Sequence, residues 1–148
     1  MEDRRMIAEL FESVRQVDRA YARWASLHGL TPGEMQIYYS MAERQIRELT
    51  QHDLCEELGA PKTSVNSIVK RQVIAGRVEL AVNPANKREK LITLTEKGER
   101  FLDELIGPLR HMEARAVASV GQEELEHAIT LQAGIAQELM ECMEDEHE

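Results

Sequence analysis

The chain has 148 residues, 43% apolar and 30% charged, a balance that suits one globular domain or a core shared with a partner and excludes a disordered chain. No apolar run approaches the roughly 20 residues of a membrane helix. The start, Met1-Glu2-Asp3-Arg4-Arg5, leads into an amphipathic pattern rather than a signal segment, so a cytoplasmic location is expected. The formal net charge of −9 argues against a nucleic-acid partner only until its distribution is read. Residues 61–100 carry 9 basic and 4 acidic side chains, against 2 basic and 12 acidic in 101–148. Potentials act over about 8–10 Å, so one basic block on an acidic body is compatible with a DNA face.

Ile7, Leu10, Phe11, Val14, Val17, Tyr21 and Trp24 recur in helical steps and predict a first helix over 5–27, closed by Gly29. Thr31-Pro32-Gly33-Glu34 is a capping box with proline at the first helical position, and it starts a helix through Met35, Ile37, Tyr38 and Met41. Thr50-Gln51-His52-Asp53 repeats the device before a short helix, with Leu54, Cys55 and Leu58 on its apolar side and Gly59 as its stop. Ala60-Pro61 then opens a helix reaching to about Ala75, which makes a helix-turn-helix. After Gly76 the period falls to two. Val78, Leu80 and Val82 predict a strand, Asn83-Pro84-Ala85-Asn86 a turn, and Leu91, Ile92 and Leu94 a second strand. Thr95 caps a last helical region, with a kink expected at Pro108 and a break at Val120-Gly121-Gln122. Leu125, Ala128, Ile129, Ile135, Leu139 and Met143 mark a final amphipathic helix, and the acidic tail 144–148 is expected to fray.

The predicted fold is mainly α (α+β): a winged helix-turn-helix with a two-stranded wing. The single domain 1–148 holds a DNA-binding lobe over 30–95, flanked by dimerisation helices at 5–28 and 96–143. On the helix over 61–75, Val65, Ile68 and Val69 point inward and leave Lys62, Thr63, Ser64, Asn66, Ser67, Lys70 and Arg71 outside. Short hydroxyls and amides near a helix N-terminus can reach base edges and phosphates, and Lys70 and Arg71 suit phosphates. The competing reading of this face is an ordinary solvated helix surface. The hairpin loop adds Lys87, Arg88 and Lys90, and Arg88 can enter a narrow minor groove.

Several stretches resemble the MarR family of bacterial transcriptional regulators: Leu30 to Met35, Leu49-Thr50-Gln51 leading to Leu58-Gly59, Pro61 to Val65, and above all Asn83 to Gly98. The resemblance implies a homodimer of intertwined terminal helices on double-stranded DNA, with the recognition helix in a major groove and the wing in the adjacent minor groove. By it, Thr63, Ser64 and Ser67 are major-groove candidates and Arg88 is the wing arginine. Two departures stand out. Asn86 replaces the aspartate that usually precedes the wing arginine and can brace the wing, and Arg77 follows Gly76 where the family has leucine, placing it as a candidate phosphate contact. The resemblance also implies a small aromatic effector, with Trp24, His28, Met35 and Tyr38 as candidate lining and simple core packing as the alternative. Broad apolar stripes at both chain ends independently favour pairing across a two-fold axis.

Cys55 is expected as a buried, inert thiol, and it forms no CxxC pair with Cys142. His28, His52, His111, His127 and His147 show no metal-ligand spacing, and no cofactor motif is present. Nothing resembles an activated nucleophile, a phosphate loop or paired catalytic carboxylates, so no enzyme is expected. The competing function is a dimeric protein-interaction module that keeps the fold without operator binding, for which the acidic balance and Asn86 speak.

Overall fold

The computed structural model describes residues 2–146; Met1, His147 and the last residue of the acidic tail lie outside the described residues. Six helices and three strands follow in the order α1 (Glu2–Leu27), α2 (Pro32–Arg44), β1 (Glu48–Thr50), α3 (Gln51–Leu58), α4 (Lys62–Ile74), β2 (Val78–Val82), β3 (Lys90–Leu94), α5 (Glu96–Val120) and α6 (Gln122–Asp145). The chain forms two compact units, Met1–Ile106 and Gly107–Glu148, which divide within α5 just before Pro108.

In the first unit, both predicted capping boxes are formed. Thr31 accepts from the Glu34 N–H while the Thr31 N–H donates to the Glu34 carboxylate at 2.7 Å, and Thr50 and Asp53 repeat the exchange at the start of α3. Each box satisfies two N–H groups that would otherwise lack partners at a helix start. Gly59, at φ +56°, closes α3 in the left-handed conformation that glycine adopts without strain, and Pro61 at once opens α4. Tyr38, Ile37, Met41, Leu54, Val65, Val69, Ile92 and Leu105 are essentially fully buried and form the core of this unit.

The sheet has three strands where two were expected. Its order is β1-β3-β2, antiparallel throughout, with Leu49 opposite Ile92 and Leu80 opposite the other edge of the same Ile92. β1 escaped the sequence reading because three residues are too few to display a period, and because Thr50 ends the strand and caps α3 at once. β2 also departs from the expected alternation. Val78 is buried, but Leu80 and Val82 are exposed at 43% and 54%, because the hairpin extends past the core.

The start of α5 locks against the turn between α4 and β2. The Thr95 hydroxyl donates to the Gly76 carbonyl and accepts from the Gly98 N–H, while the Thr95 N–H donates to the Arg77 carbonyl. A Cβ on Gly98 would lie 1.9 Å from the Arg77 carbonyl oxygen, so the close approach requires glycine here. In the second unit, Gly121 at φ +106° separates α5 from α6, at the predicted break. No residue of α6 is buried, and Ile129, Ile135, Leu139 and Met143 are all exposed along it. α5 continues as a helix through Pro108. No described helix is long and apolar enough to cross a membrane.

Candidate nucleic-acid interface

Helix α4 turns Val65, Val69 and Gln72 inward, with Ile68 half-buried. Lys62, Thr63, Ser64, Asn66, Ser67, Lys70 and Arg71 are exposed along it. Unlike α2 and α3, it starts at Pro61 without a side-chain cap and has no acidic residue in its first turn. The positive end of its dipole is therefore uncompensated by the protein. Ser67 donates to the Thr63 carbonyl one turn back, and Asn66 accepts from buried Gln51 at 2.8 Å.

The expected outward set is not uniform. Arg71 stands at the edge of a polar network that sequence reading missed. Its Nε donates at 2.7 Å to Glu34, a carboxylate only 5% exposed. Burial alone would raise the Glu34 pKa. The Thr31 N–H, the Arg71 guanidinium, the Thr31 hydroxyl and the Gln72 amide together hold it below the usual carboxylate range. Gln72, 2% exposed, donates to the same carboxylate oxygen at 3.1 Å and accepts from the Tyr38 hydroxyl at 2.5 Å. Burial pushes the Tyr38 phenol up to about 12. The signal available in the sequence was Glu34 itself, which the capping box places at the third position of α2, one side chain from α4.

Arg77 departs furthest from its expected role. Its guanidinium lies 3.7 Å from the centre of the Phe101 ring, and Nη1 donates to Gln72 at 3.4 Å. Its Nε is buried without a hydrogen-bond partner among the described residues. The side chain thus fills the slot between β2 and α5 by stacking rather than facing outward toward a phosphate.

The wing loop is braced from within. The Asn83 side chain accepts from the Ala85 N–H, and the Asn86 side chain accepts from the Arg88 N–H at 3.2 Å. Asn86 therefore fixes the backbone of the very arginine that an aspartate was expected to brace. Glu89 supplies the carboxylate. One oxygen accepts from the His52 N–H at the start of α3, the other from the Asn83 amide. Lys87, Arg88 and Lys90 remain exposed; Lys90 opens β3 rather than belonging to the loop. A cleft of about 480 Å³ separates wing and helices, lined by Gln51, His52, Cys55, Lys62, Arg88 and Glu89 among others. Cys55 is half-buried on this cleft, not fully enclosed as expected.

Of the four candidate effector residues, three have defined packing partners. Trp24 donates to the Leu105 carbonyl at 3.1 Å and packs against the tilted His28 ring at 4.3 Å between centroids, and Tyr38 is fully enclosed against Phe101. These are packing roles. Met35 lines a groove of about 580 Å³ between α1 and α2, whose walls include Val17, Tyr21, Ala22, Pro32 and Tyr39. Among the described residues no group of three or more histidine, cysteine or carboxylate side chains could hold a metal.

No protein-family profile matches the chain. Uncharacterized proteins of Mycobacterium tuberculosis and Mycobacterium bovis are 29% identical over 98 residues, a stretch covering 66% of this chain and 66% of theirs. Among solved structures, a MarR family regulator from Neisseria meningitidis superposes with a TM-score of 0.76 at 20% identity, over 97% of this chain and 99% of that one. Apo MarR of E. coli gives 0.60 at 23% identity over 86% and 94%, and the regulator BldR of Sulfolobus solfataricus 0.68 at 17% over 89% and 95%. The match runs through the terminal helices as well as the wing, so the chain has the winged-helix fold of the MarR family regulators.

Proposed function

We propose that the chain is a MarR-type transcriptional regulator: a cytoplasmic homodimer that binds a pseudo-palindromic DNA operator, with no catalytic activity and no cofactor. One observation carries the reading. The exposed face of α4 and the wing tip present Lys62, Lys70, Lys87 and Arg88 beside short polar side chains, on a strongly net-basic stretch of an acidic chain. The uncapped start of α4 adds free N–H groups where a phosphate would sit. Thr63, Ser64 and Ser67 would meet base edges in the major groove, and Arg88 the minor groove beside it. The likeness to solved MarR regulators supports the same arrangement.

Dimerisation is supported by α6, whose 24 residues have no buried member although its apolar side chains recur at helical spacing. Exposed Met6, Phe11 and Val17 on α1 are similarly without cover in the single chain. A hydrophobic stripe this long is stable in water only when covered. For an effector, the groove between α1 and α2 offers Tyr21 and Tyr39 as aromatic walls, which suits a small aromatic molecule and makes repression relieved by ligand the natural regulatory mode. The interaction-module alternative loses part of its support, since Asn86 braces the wing rather than loosening it.

The test is titration of the purified protein against its own upstream DNA across a range of salt concentrations. Binding should weaken steeply with salt, and Arg88→Ala should cost about tenfold. No binding at low salt would remove the proposal.

A further inference from the structure

Buried Gln51, the first residue of α3, is 7% exposed and donates its amide to Oδ1 of exposed Asn66 on α4 at 2.8 Å. The bond joins the helix that does not read bases to the helix that would. An asparagine amide has two unlike ends, a carbonyl that accepts and an NH2 that donates. The bidentate asparagine–adenine pair needs both ends presented side by side to one base edge. With Oδ1 held toward α3, the NH2 end is the one left to face DNA.

We propose that Gln51 is a specificity-determining positioning residue: it fixes the Asn66 amide so that Asn66 reads hydrogen-bond acceptors in the major groove rather than pairing with adenine. Guanine, with N7 and O6 both accepting, is the base this donor fits best. Gln51 never touches DNA in this scheme. The capping box of Thr50 and Asp53 holds the backbone at the start of α3, from which Gln51 reaches Asn66 about one turn into α4. The assignment holds only if α4 enters a major groove, as proposed above.

The experiment is selection of bound sequences from random duplex DNA by the full-length chain and by three variants. Asn66→Ala identifies the operator position that Asn66 reads, which in the unmodified protein should be guanine. In Gln51→Glu the carboxylate can only accept, so the Asn66 NH2 turns inward and its carbonyl faces DNA. Preference at that position should shift by roughly 5- to 100-fold toward cytosine or adenine, whose exposed amines donate. In Gln51→Met the bond is lost at similar volume, and adenine should be admitted through the two-ended pair. Because the readout is base preference, general losses of affinity or stability do not imitate it, and Gln51→Met carries the test should Gln51→Glu fold poorly. An unchanged preference in both Gln51 variants, or a motif indifferent to Asn66→Ala, overturns the proposal while leaving operator binding intact. Failure of the unmodified chain to enrich any motif overturns operator binding itself, and this proposal with it.

Discussion

The single-residue features that matter most are those where a side chain does two jobs. Glu34 caps α2 and anchors α4 through Arg71 and Gln72, and its carboxyl is held below the ordinary range despite burial. Asp53 is likewise lowered: burial opposes the shift, but Thr50 and Arg44 outweigh it. Carboxylates with depressed native pKa contribute stability that is present above their unfolded pKa and lost as pH falls through the native value. Urea midpoints should therefore decline as pH falls below about 4.5, and Glu34→Gln should flatten that decline. At the alkaline end the sign reverses, and stability from neutral Tyr38 should fade as pH rises from about 10 to about 12. Gly98→Ala forces a Cβ against the Arg77 carbonyl and should cost about 3 kcal/mol in urea unfolding. Arg77→Lys, which loses the planar stack on Phe101, should lower the thermal midpoint yet leave the salt slope of DNA binding unchanged, in contrast to Arg88→Ala.

Among the elements, the helices were legible because their signals are local: periodic apolar faces, Thr-x-x-Glu and Thr-x-x-Asp caps, and glycines just past helix ends. The turn Gly59-Ala60-Pro61 marked the helix-turn-helix for the same reason. β1 was not legible, because three residues carry no periodicity and the strand exists only by pairing with β3, more than 40 residues away. Arg77 and Gln72 were misjudged or overlooked for a related cause. Their partners, Phe101 on α5 and Glu34 on α2, are distant in sequence, so nothing nearby announced that two polar side chains would be drawn inward. The rigidity of the wing is a question the sequence leaves open. Asn86 reads as a lost brace when compared with aspartate, yet it accepts the Arg88 N–H, while Glu89 ties the loop to α3. Glu89→Ala should release that tie. Amide exchange over residues 83–89 should then rise while protection of α4 is kept, and equal loss in both would mean that Glu89 supports the whole unit rather than the wing.

At the scale of the whole molecule, one net-basic stretch in an acidic chain suits the proposed regulator, which must avoid indiscriminate binding. Net repulsion from DNA raises the demand on specific contacts, and salt should screen the repulsion as well as the attraction. The uncovered stripe of α6 predicts that the chain sediments as a dimer, and that Leu139→Glu, which puts a charge on that stripe, should shift it toward monomer at micromolar concentration without unfolding the sheet. In the proposed dimer, doubling the winged helix across a two-fold axis would set the geometry of the site, each copy reading one half-site. The most direct test of that claim is selection from random duplex DNA by the purified protein at moderate salt. The expected result is an inverted repeat with half-site centres about one helical turn, roughly 10 base pairs, apart. A pool that stays random after repeated rounds at low salt would contradict it.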